Sequence, residues 1–279
     1  MKPSVRYKLN LAYCGANYFG WQVQVAGATW KGARPKTGKL RTVQGVLTEH
    51  IGRIVGHPVT VVGSSRTDTG VHAKGQVAHF DTTSVHIPPE GLRRAVNNRL
   101  PDDVVINTIV EVPSPNPDTH RGGFDAIGDA VHKRYQYLIW HSLNRNVLME
   151  HLAFHRWHDV DVDAMAAGAA HLVGTMDYTS FCRPGHGRES TVRTISDCSV
   201  SQRGKLIVVS VAGNGFLWNQ VRIIVGTLVE VGIGRFKSDD IRHMLDARDR
   251  RAAGSTAPSH GLYLQWIQHR LNRGRGEPV

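Results

Sequence analysis

Hydrophobic periodicity along the chain switches between two residues, the signature of a strand, and about 3.6, the signature of a helix. Residues 7–13 alternate apolar and polar positions and predict a strand. Residues 43–55 place Val43, Val46, Leu47 and Ile51 on one helical face, with Thr42 as the N-cap. Residues 59–62 predict a strand that runs into a turn-rich segment over 63–70, and residues 76–80 predict a second strand. Residues 88–100 read as a helix opened by proline and closed before Pro101, followed by a strand over 104–112.

The segment Pro113-Ser114-Pro115-Asn116-Pro117 continues neither kind of element and reads as a linker. A comparable series then begins again. It contains a strand over 135–140, an Ala-rich helix over 162–172, and a hairpin of 195–201 and 205–212 around Arg203-Gly204. A long helix over 217–231, a shorter one over 238–247 capped by Ser238, and a last strand over 262–268 complete it. The pattern predicts an α+β fold of two similar α/β subdomains, residues 1–122 and 123–270, with a basic flexible tail over 271–279.

Charge narrows the range of partners. Across 279 residues, 34 Lys and Arg against 23 Asp and Glu leave a formal charge of +11. Such an excess points to a polyanion, most simply nucleic acid. Basic residues gather in glycine-containing segments over 26–41, 183–189 and 270–279. The first residues lack the apolar run of a signal peptide, and no segment is apolar enough to cross a bilayer, so a membrane role is not expected. Cys14, Cys182 and Cys198 are odd in number and far apart, which argues against a disulfide framework or a cysteine-based zinc site and fits a reducing cytoplasm.

The most informative stretch is Gly63-Ser64-Ser65-Arg66-Thr67-Asp68-Thr69-Gly70-Val71-His72-Ala73-Lys74-Gly75-Gln76-Val77. A strand ends in a polar turn that carries Arg66 and Asp68 two residues apart, a spacing that shares a face in extended backbone. A guanidinium nearby keeps a partly desolvated carboxylate ionised, and such a carboxylate serves as nucleophile or general base. On its own, an Arg-x-Asp beside glycines more often marks a structural ion pair.

The longer string resembles the active-site motif of the tRNA pseudouridine synthase A family. Further matches follow in order: Tyr13-Cys14-Gly15 with Gly20-Trp21-Gln22 and Gln24, then Thr42-Val43-Gln44, Asn98-Arg99-Leu100-Pro101 and Lys133-Arg134-Tyr135. They continue through Gly174-Thr175-Met176-Asp177-Tyr178, Val192-Arg193-Thr194 and Gly215-Phe216-Leu217-Trp218-Asn219-Gln220-Val221-Arg222 to Asp249-Arg250 and Thr256-Ala257-Pro258. The resemblance implies a pseudouridine synthase fold, with a mixed, mainly antiparallel central sheet flanked by helices. It implies an isomerase that acts on uridines of the tRNA anticodon stem-loop, works as a homodimer and needs no metal or organic cofactor. By matched position, Asp68 is the catalytic aspartate, Arg66 orients the RNA or helps flip the nucleotide, and Tyr135 stacks on the uracil. Arg222 keeps Asp68 charged, and Leu217, Gln24 and His72 complete the substrate-binding set. The chemistry suits these residue types: the N1–C1′ bond breaks, the uracil turns, and C5 joins C1′. A carboxylate meets the electron-deficient C1′ or C6, and the flipped base needs a dry pocket with an aromatic wall.

Four places depart from the family pattern. Cys14 replaces an Asp, Ser64-Ser65 replaces Ala-Gly, residues 124–130 lack an expected basic pair, and Gln220 replaces a common Met. All four bear on RNA register rather than on Asp68, Tyr135 or Arg222. Lys31, Arg34, Lys36, Lys39 and Arg41 are expected to supply replacement phosphate contacts. His151, His155 and His158 read as part of a half-buried strand rather than a metal site, His72 as a brace for the Asp68 loop, and Asp177 as a turn residue. The competing function is a catalytically silent tRNA-binding protein on the same scaffold. A hydrolase using Asp68 to activate water lacks a partner acid or metal.

Overall fold

The computed structural model describes residues 4–23, 40–83, 87–116, 122–185, 187 and 189–270. These residues hold ten strands, mostly antiparallel, and five α-helices, the α+β class that the periodicity predicts. The chain divides into two compact units: residues up to Val131 together with the described residues from Trp266 onward, and His132–Gln265.

In the first unit, β1 (Val5–Tyr13) lies between β3 (His72–Thr82) and β4 (Val104–Val112), antiparallel to both, and β2 (Val62–Gly63) adds to β3. Tyr7, Leu9, Leu11 and Tyr13 of β1 are buried, as alternation requires. α1 (Val43–Val55) buries Val43, Leu47, Ile51 and Val55, and Val46 falls at the edge of that face. Thr42 caps it, its side chain accepting from the Gly45 N–H at 3.2 Å. α2 (Pro89–Asn97) ends before the predicted stop because the Asn97 side chain turns to bridge both backbone groups of Ile106, at 2.9 Å each. β3 is longer than predicted at both ends, since its end residues His72 and Thr82 are buried polar residues that periodicity does not count as core.

In the second unit the strand order is β5 (Ala130–His141), β9 (Leu206–Gly213), β8 (Val192–Arg203) and β7 (Gly174–Asp177), all antiparallel. Short β6 (Phe154–Arg156) pairs parallel with β5. The predicted β8–β9 hairpin is present, and Gly204 supplies the positive φ of +59° that its tight turn needs. α3 (Val162–Ala170) and α4 (Gln220–Gly232) pack on each other, and α5 (Asp240–Ala247) follows. α5 begins later than predicted: Ser238 does not cap it, and the residue before the helix is Asp239. β10 (Leu262–His269) runs from the second unit into the first.

The segment Gly254–Pro258 is laid along α4. A Cβ on Gly226 would stand 1.7 Å from the Ser255 carbonyl oxygen, so only glycine admits this approach. Thr227 Oγ1 accepts from the Gly254 N–H at 3.0 Å, and Glu230 accepts from the Ser255 N–H at 3.0 Å. Gly226→Ala is expected to destabilise the protein by about 3 kcal/mol or more, because a backbone carbonyl cannot rotate away as a side chain can. Urea midpoints of the two proteins, at equal slope, measure this; a loss below about 1 kcal/mol would contradict the close packing.

Candidate active site

The loop carrying Asp68 is held to the rest of the first unit by backbone and buried side-chain hydrogen bonds. Ser64 donates its N–H to the Val77 carbonyl at 2.8 Å. Gln76, with no exposed surface, holds the next residue from both sides: its Oε1 accepts from the Ser65 N–H at 3.2 Å and its Nε2 donates to the Ser65 carbonyl at 2.7 Å. Thr67 is turned inward, its hydroxyl 2.8 Å from that of Tyr13 and its carbonyl accepting from the Trp21 N–H at 3.1 Å. The Asp68 carbonyl accepts from the Val71 N–H at 3.1 Å, and Gly70 sits at φ +79°, the left-handed value that the third position of a type II turn requires. With Ser64, Ser65 and Thr67 buried, Arg66 is left exposed and Asp68 half-buried.

The N-terminal motif is the wall behind this loop. A Cβ on Gly15 would lie 2.0 Å from the Val71 carbonyl oxygen, and one on Gly20 would lie 2.7 Å from that of Thr67. The Trp21 ring packs on Gly63, where a Cβ would be 2.2 Å from it. The Gly20 and Trp21 carbonyls accept the N–H groups of Val43 and Gln44, which satisfies the start of α1. Gln44 ties the group together, accepting from the Val23 N–H at 2.9 Å and donating to the Val61 carbonyl at 2.8 Å. His72 is 1% exposed, and its Nδ1 accepts from the Gly15 N–H at 3.1 Å, the bracing position expected of it. Gln24 lies outside the described residues.

The second unit presents the other motif residues. Tyr135 on β5 is 7% exposed, and its ring meets Phe216 edge-on at 5.3 Å. Leu217 is buried, and its N–H donates to Gln220 Oε1 at 2.8 Å. This side-chain cap explains why α4 starts at Gln220 and not at the predicted Leu217, and Asn219 between them takes a left-handed φ of +61°. Asn219 Oδ1 accepts from an Arg222 Nη at 3.2 Å, while Arg222 Nε donates to the Ala257 carbonyl at 2.8 Å. The Ala257 N–H donates to the Arg222 carbonyl at 3.0 Å, so the Thr256-Ala257-Pro258 segment aims this guanidinium. Tyr137, two residues after Tyr135, fixes the same segment by donating to the Pro258 carbonyl at 2.7 Å and packing against Gly261.

A family model described as tRNA pseudouridine synthase matches residues 11–116 and 169–268, which include Asp68, Arg222 and the segments that hold them. The chain belongs to the tRNA pseudouridine synthase family. Proteins named tRNA pseudouridine synthase A from Exiguobacterium sibiricum and Acetivibrio thermocellus are each 42% identical to it. The alignment with the first covers 93% of this chain and 94% of the relative, and that with the second 92% and 96%. A third, from Anoxybacillus flavithermus, is 40% identical over 95% of this chain and 98% of the relative.

Family membership makes the structures at the four departures informative. Cys14 is half-buried and donates its N–H to the Asp103 carbonyl at 2.9 Å. Ser64 and Ser65 are buried in the braced part of the loop. Residues 125–129 form a turn closed on itself: Asp125 Oδ1 accepts from the N–H groups of Ile127 and Gly128, and Asp129 accepts from that of Asp125. Gln220 caps Leu217 with its oxygen, while its buried Nε2 has no hydrogen-bond partner among the described residues. The sequence reading missed the bracing roles of Gln76 and Asn219. A glutamine inside the apolar run of a strand, and an asparagine immediately before a helix, were the signals.

Arg41 has a different occupation from the phosphate contact expected of it. Its guanidinium stacks on Tyr18 at 4.3 Å and forms two bonds to Asp103, at 2.9 and 3.0 Å. Tyr18 donates its hydroxyl to the same carboxylate, and the Arg41 carbonyl accepts from the Phe19 N–H. The other four basic residues of that expectation, Lys31, Arg34, Lys36 and Lys39, lie outside the described residues. His155 on β6 bonds the Ser142 carbonyl at 2.8 Å, and Asp177 accepts from Thr179 and Thr191, the turn role read for it.

Burial pushes the Asp103 carboxyl up, but the hydrogen bonds from Tyr18 and Arg41 outweigh it and hold the group below its ordinary 3.8. Asp103→Asn is therefore expected to cost about 1–2 kcal/mol at neutral pH. A carboxyl depressed in the folded state contributes its full stability above the ordinary value and loses it as pH falls through the lowered one. The gap between the two proteins in urea midpoint should close as the solution is acidified below pH 3.8. A gap that does not change with pH would show that the charge on Asp103 is not what stabilises the cluster.

Proposed function

We propose that this protein converts uridine to pseudouridine in the anticodon stem-loop of tRNA, with Asp68 as the nucleophile. The observation that carries the reading is the Asp68 loop. Its backbone is immobilised by Gln76, Thr67 and the close-packed glycines, while the carboxylate at its tip is half-buried beside an exposed Arg66. Rigid support of a reactive group is what a covalent step demands, because misplacement by about 1 Å can cost about a hundredfold in rate. Family membership supplies the reaction.

In this reading Asp68 adds to C1′ or C6 of a uridine flipped out of its stack, and the N1–C1′ bond breaks. The uracil turns, C5 bonds to C1′, and the bond to Asp68 breaks to return the free carboxylate; C5 loses its proton and N1 gains one, so the product is an isomer of the substrate. The family resemblance assigns Tyr135, with Leu217 as an apolar neighbour, to the uracil, where an apolar surface keeps competing water away. It assigns Arg222 to keeping the carboxylate charged, and Asn219 and the Ala257 carbonyl hold that guanidinium in a fixed direction. Arg66, exposed at the loop tip, orients the RNA or helps flip the target nucleotide. The basic surplus of the chain supports RNA binding, three free cysteines fit a reducing cytoplasm, and the homodimer is what the family resemblance implies. Among the described residues no helix is long and apolar enough to cross a membrane.

Asp68→Ala is expected to abolish pseudouridine formation while leaving tRNA affinity within about tenfold, since phosphate contacts dominate binding. Mapping pseudouridine in tRNA incubated with each protein, alongside a binding titration, checks both halves. Product from the Asp68→Ala protein would remove the nucleophile assignment, and absence of product from the unaltered protein would favour the catalytically silent reading.

A further inference from the structure

One surface of the second unit has no part in the chemistry above. Trp218 is 40% exposed, although tryptophan is normally highly buried. The guanidinium of Arg183 lies 4.3 Å from its ring centre, and the Arg183 N–H donates to the Trp218 carbonyl at 3.0 Å. Arg183 stands between Cys182 and Pro184, both of which line a cavity of about 500 Å³. Thr179, Ala247, Arg248, Asp249 and Arg250 complete its lining. Trp218 and the cavity are therefore joined through one residue.

The cavity has the wrong balance of charge for a closed structural cluster. Asp249 is engaged by Arg251, at 2.6 Å, and its N–H is anchored on Ser180 Oγ at 2.9 Å. Arg248 reaches the Asp177 carboxylate only at 3.4 Å, and its side chain is 70% exposed. Arg250 donates to neutral oxygens, the Ala253 carbonyl and Thr256 Oγ1, both at 3.2 Å. Burial holds its guanidinium below the ordinary arginine value, against the opposing pull of the Glu230 carboxylate. Arg248 also carries one of the two left-handed non-glycine conformations among the described residues, at φ +48°; such strain persists where the surroundings or a function impose it.

We propose that Trp218, Arg183 and the Arg248–Arg250 cavity form a docking surface for the RNA substrate, outside the nucleotide being isomerised. A base from an unpaired stretch stacks on the Trp218 indole, and Arg183 and Arg248 take backbone phosphates on either side of it. Trp218 follows Leu217 directly, so an RNA strand held here is tethered next to a residue assigned to the uracil pocket. Stacking tolerates any base and the phosphates carry no sequence information. The surface therefore contributes affinity and register rather than base identity. This assignment rests on the RNA-modifying reading and specifies where part of that RNA lies.

The test uses the full chain and an unmodified tRNA transcript. Trp218→Ala should raise the dissociation constant about tenfold, with Trp218→Phe restoring most of it. Arg248→Gly removes a charge and relieves the positive φ, so folding is preserved. It should weaken binding and lower the slope of log affinity against log salt by about 0.7–0.9, the signature of one lost phosphate contact. Both variants should raise KM for the tRNA and leave kcat close to that of the unaltered protein. Unchanged affinity and unchanged salt slope in both variants would overturn the surface, as would failure of the unaltered protein to bind tRNA. Binding through Trp218 by a protein that forms no pseudouridine would instead sink the catalytic reading and leave this surface standing.

Discussion

The Gln76 carboxamide, buried in strand β3, holds both backbone groups of Ser65 and so substitutes for the ladder that β2 abandons after Gly63. Everything about the Asp68 loop depends on that exchange. A loop leaving a sheet has backbone groups to satisfy, and if water satisfied them the loop would be mobile. Here the protein satisfies them, through Gln76, Val77, Tyr18 and Trp21, which ties the loop to the sheet and the N-terminal segment. A buried glutamine is acceptable only because both ends of its amide are bonded, its oxygen also accepting from the Val77 N–H.

The second unit solves the same problem for Arg222 by different means. A guanidinium at the start of α4 would swing freely on its long side chain, losing much of the electrostatic value of a fixed cation. Asn219 and the Ala257 carbonyl hold it from two sides, and glycine at 226 lets the Ala257 segment come close enough to do so. Gly254, Thr227, Glu230 and Tyr137 then hold that segment. The family's scattered short motifs thus form one support: a small residue, a hydroxyl, a carboxylate and a tyrosine, each placed for one bond to a backbone that positions the arginine.

Strands and helices with one buried face were legible in the sequence, because burial on one side imprints a period on it. β1, α1 and the β8–β9 hairpin follow from Tyr7-Leu9-Leu11, from Val43-Leu47-Ile51 and from Arg203-Gly204. Where a side chain serves backbone geometry instead of burial, periodicity misleads. Leu217 is apolar and suits a helix, yet Gln220 caps it and α4 starts three residues later. Ser238 resembles a cap, yet the turn before α5 is closed by Asp240 accepting from the Lys237 N–H. Arg41 reads as a free phosphate ligand, yet Asp103, distant in sequence, claims it.

What the sequence determined by itself is the inventory: the apolar periods that set the elements, the net charge that sets the kind of partner, and the ordered motifs that place Asp68, Tyr135 and Arg222 in a known family. These are properties of residue type and short spacing. Tertiary structure alone decided which polar groups are consumed in holding the fold and which side chains stay at the surface. Gln76, His72, Asn219 and Arg41 fall in the first group, Arg66, Trp218 and Arg248 in the second. The physical reason is that a hydrogen bond or ion pair requires two partners within about 3 Å, and a chain read in order does not show which distant residue folding brings there.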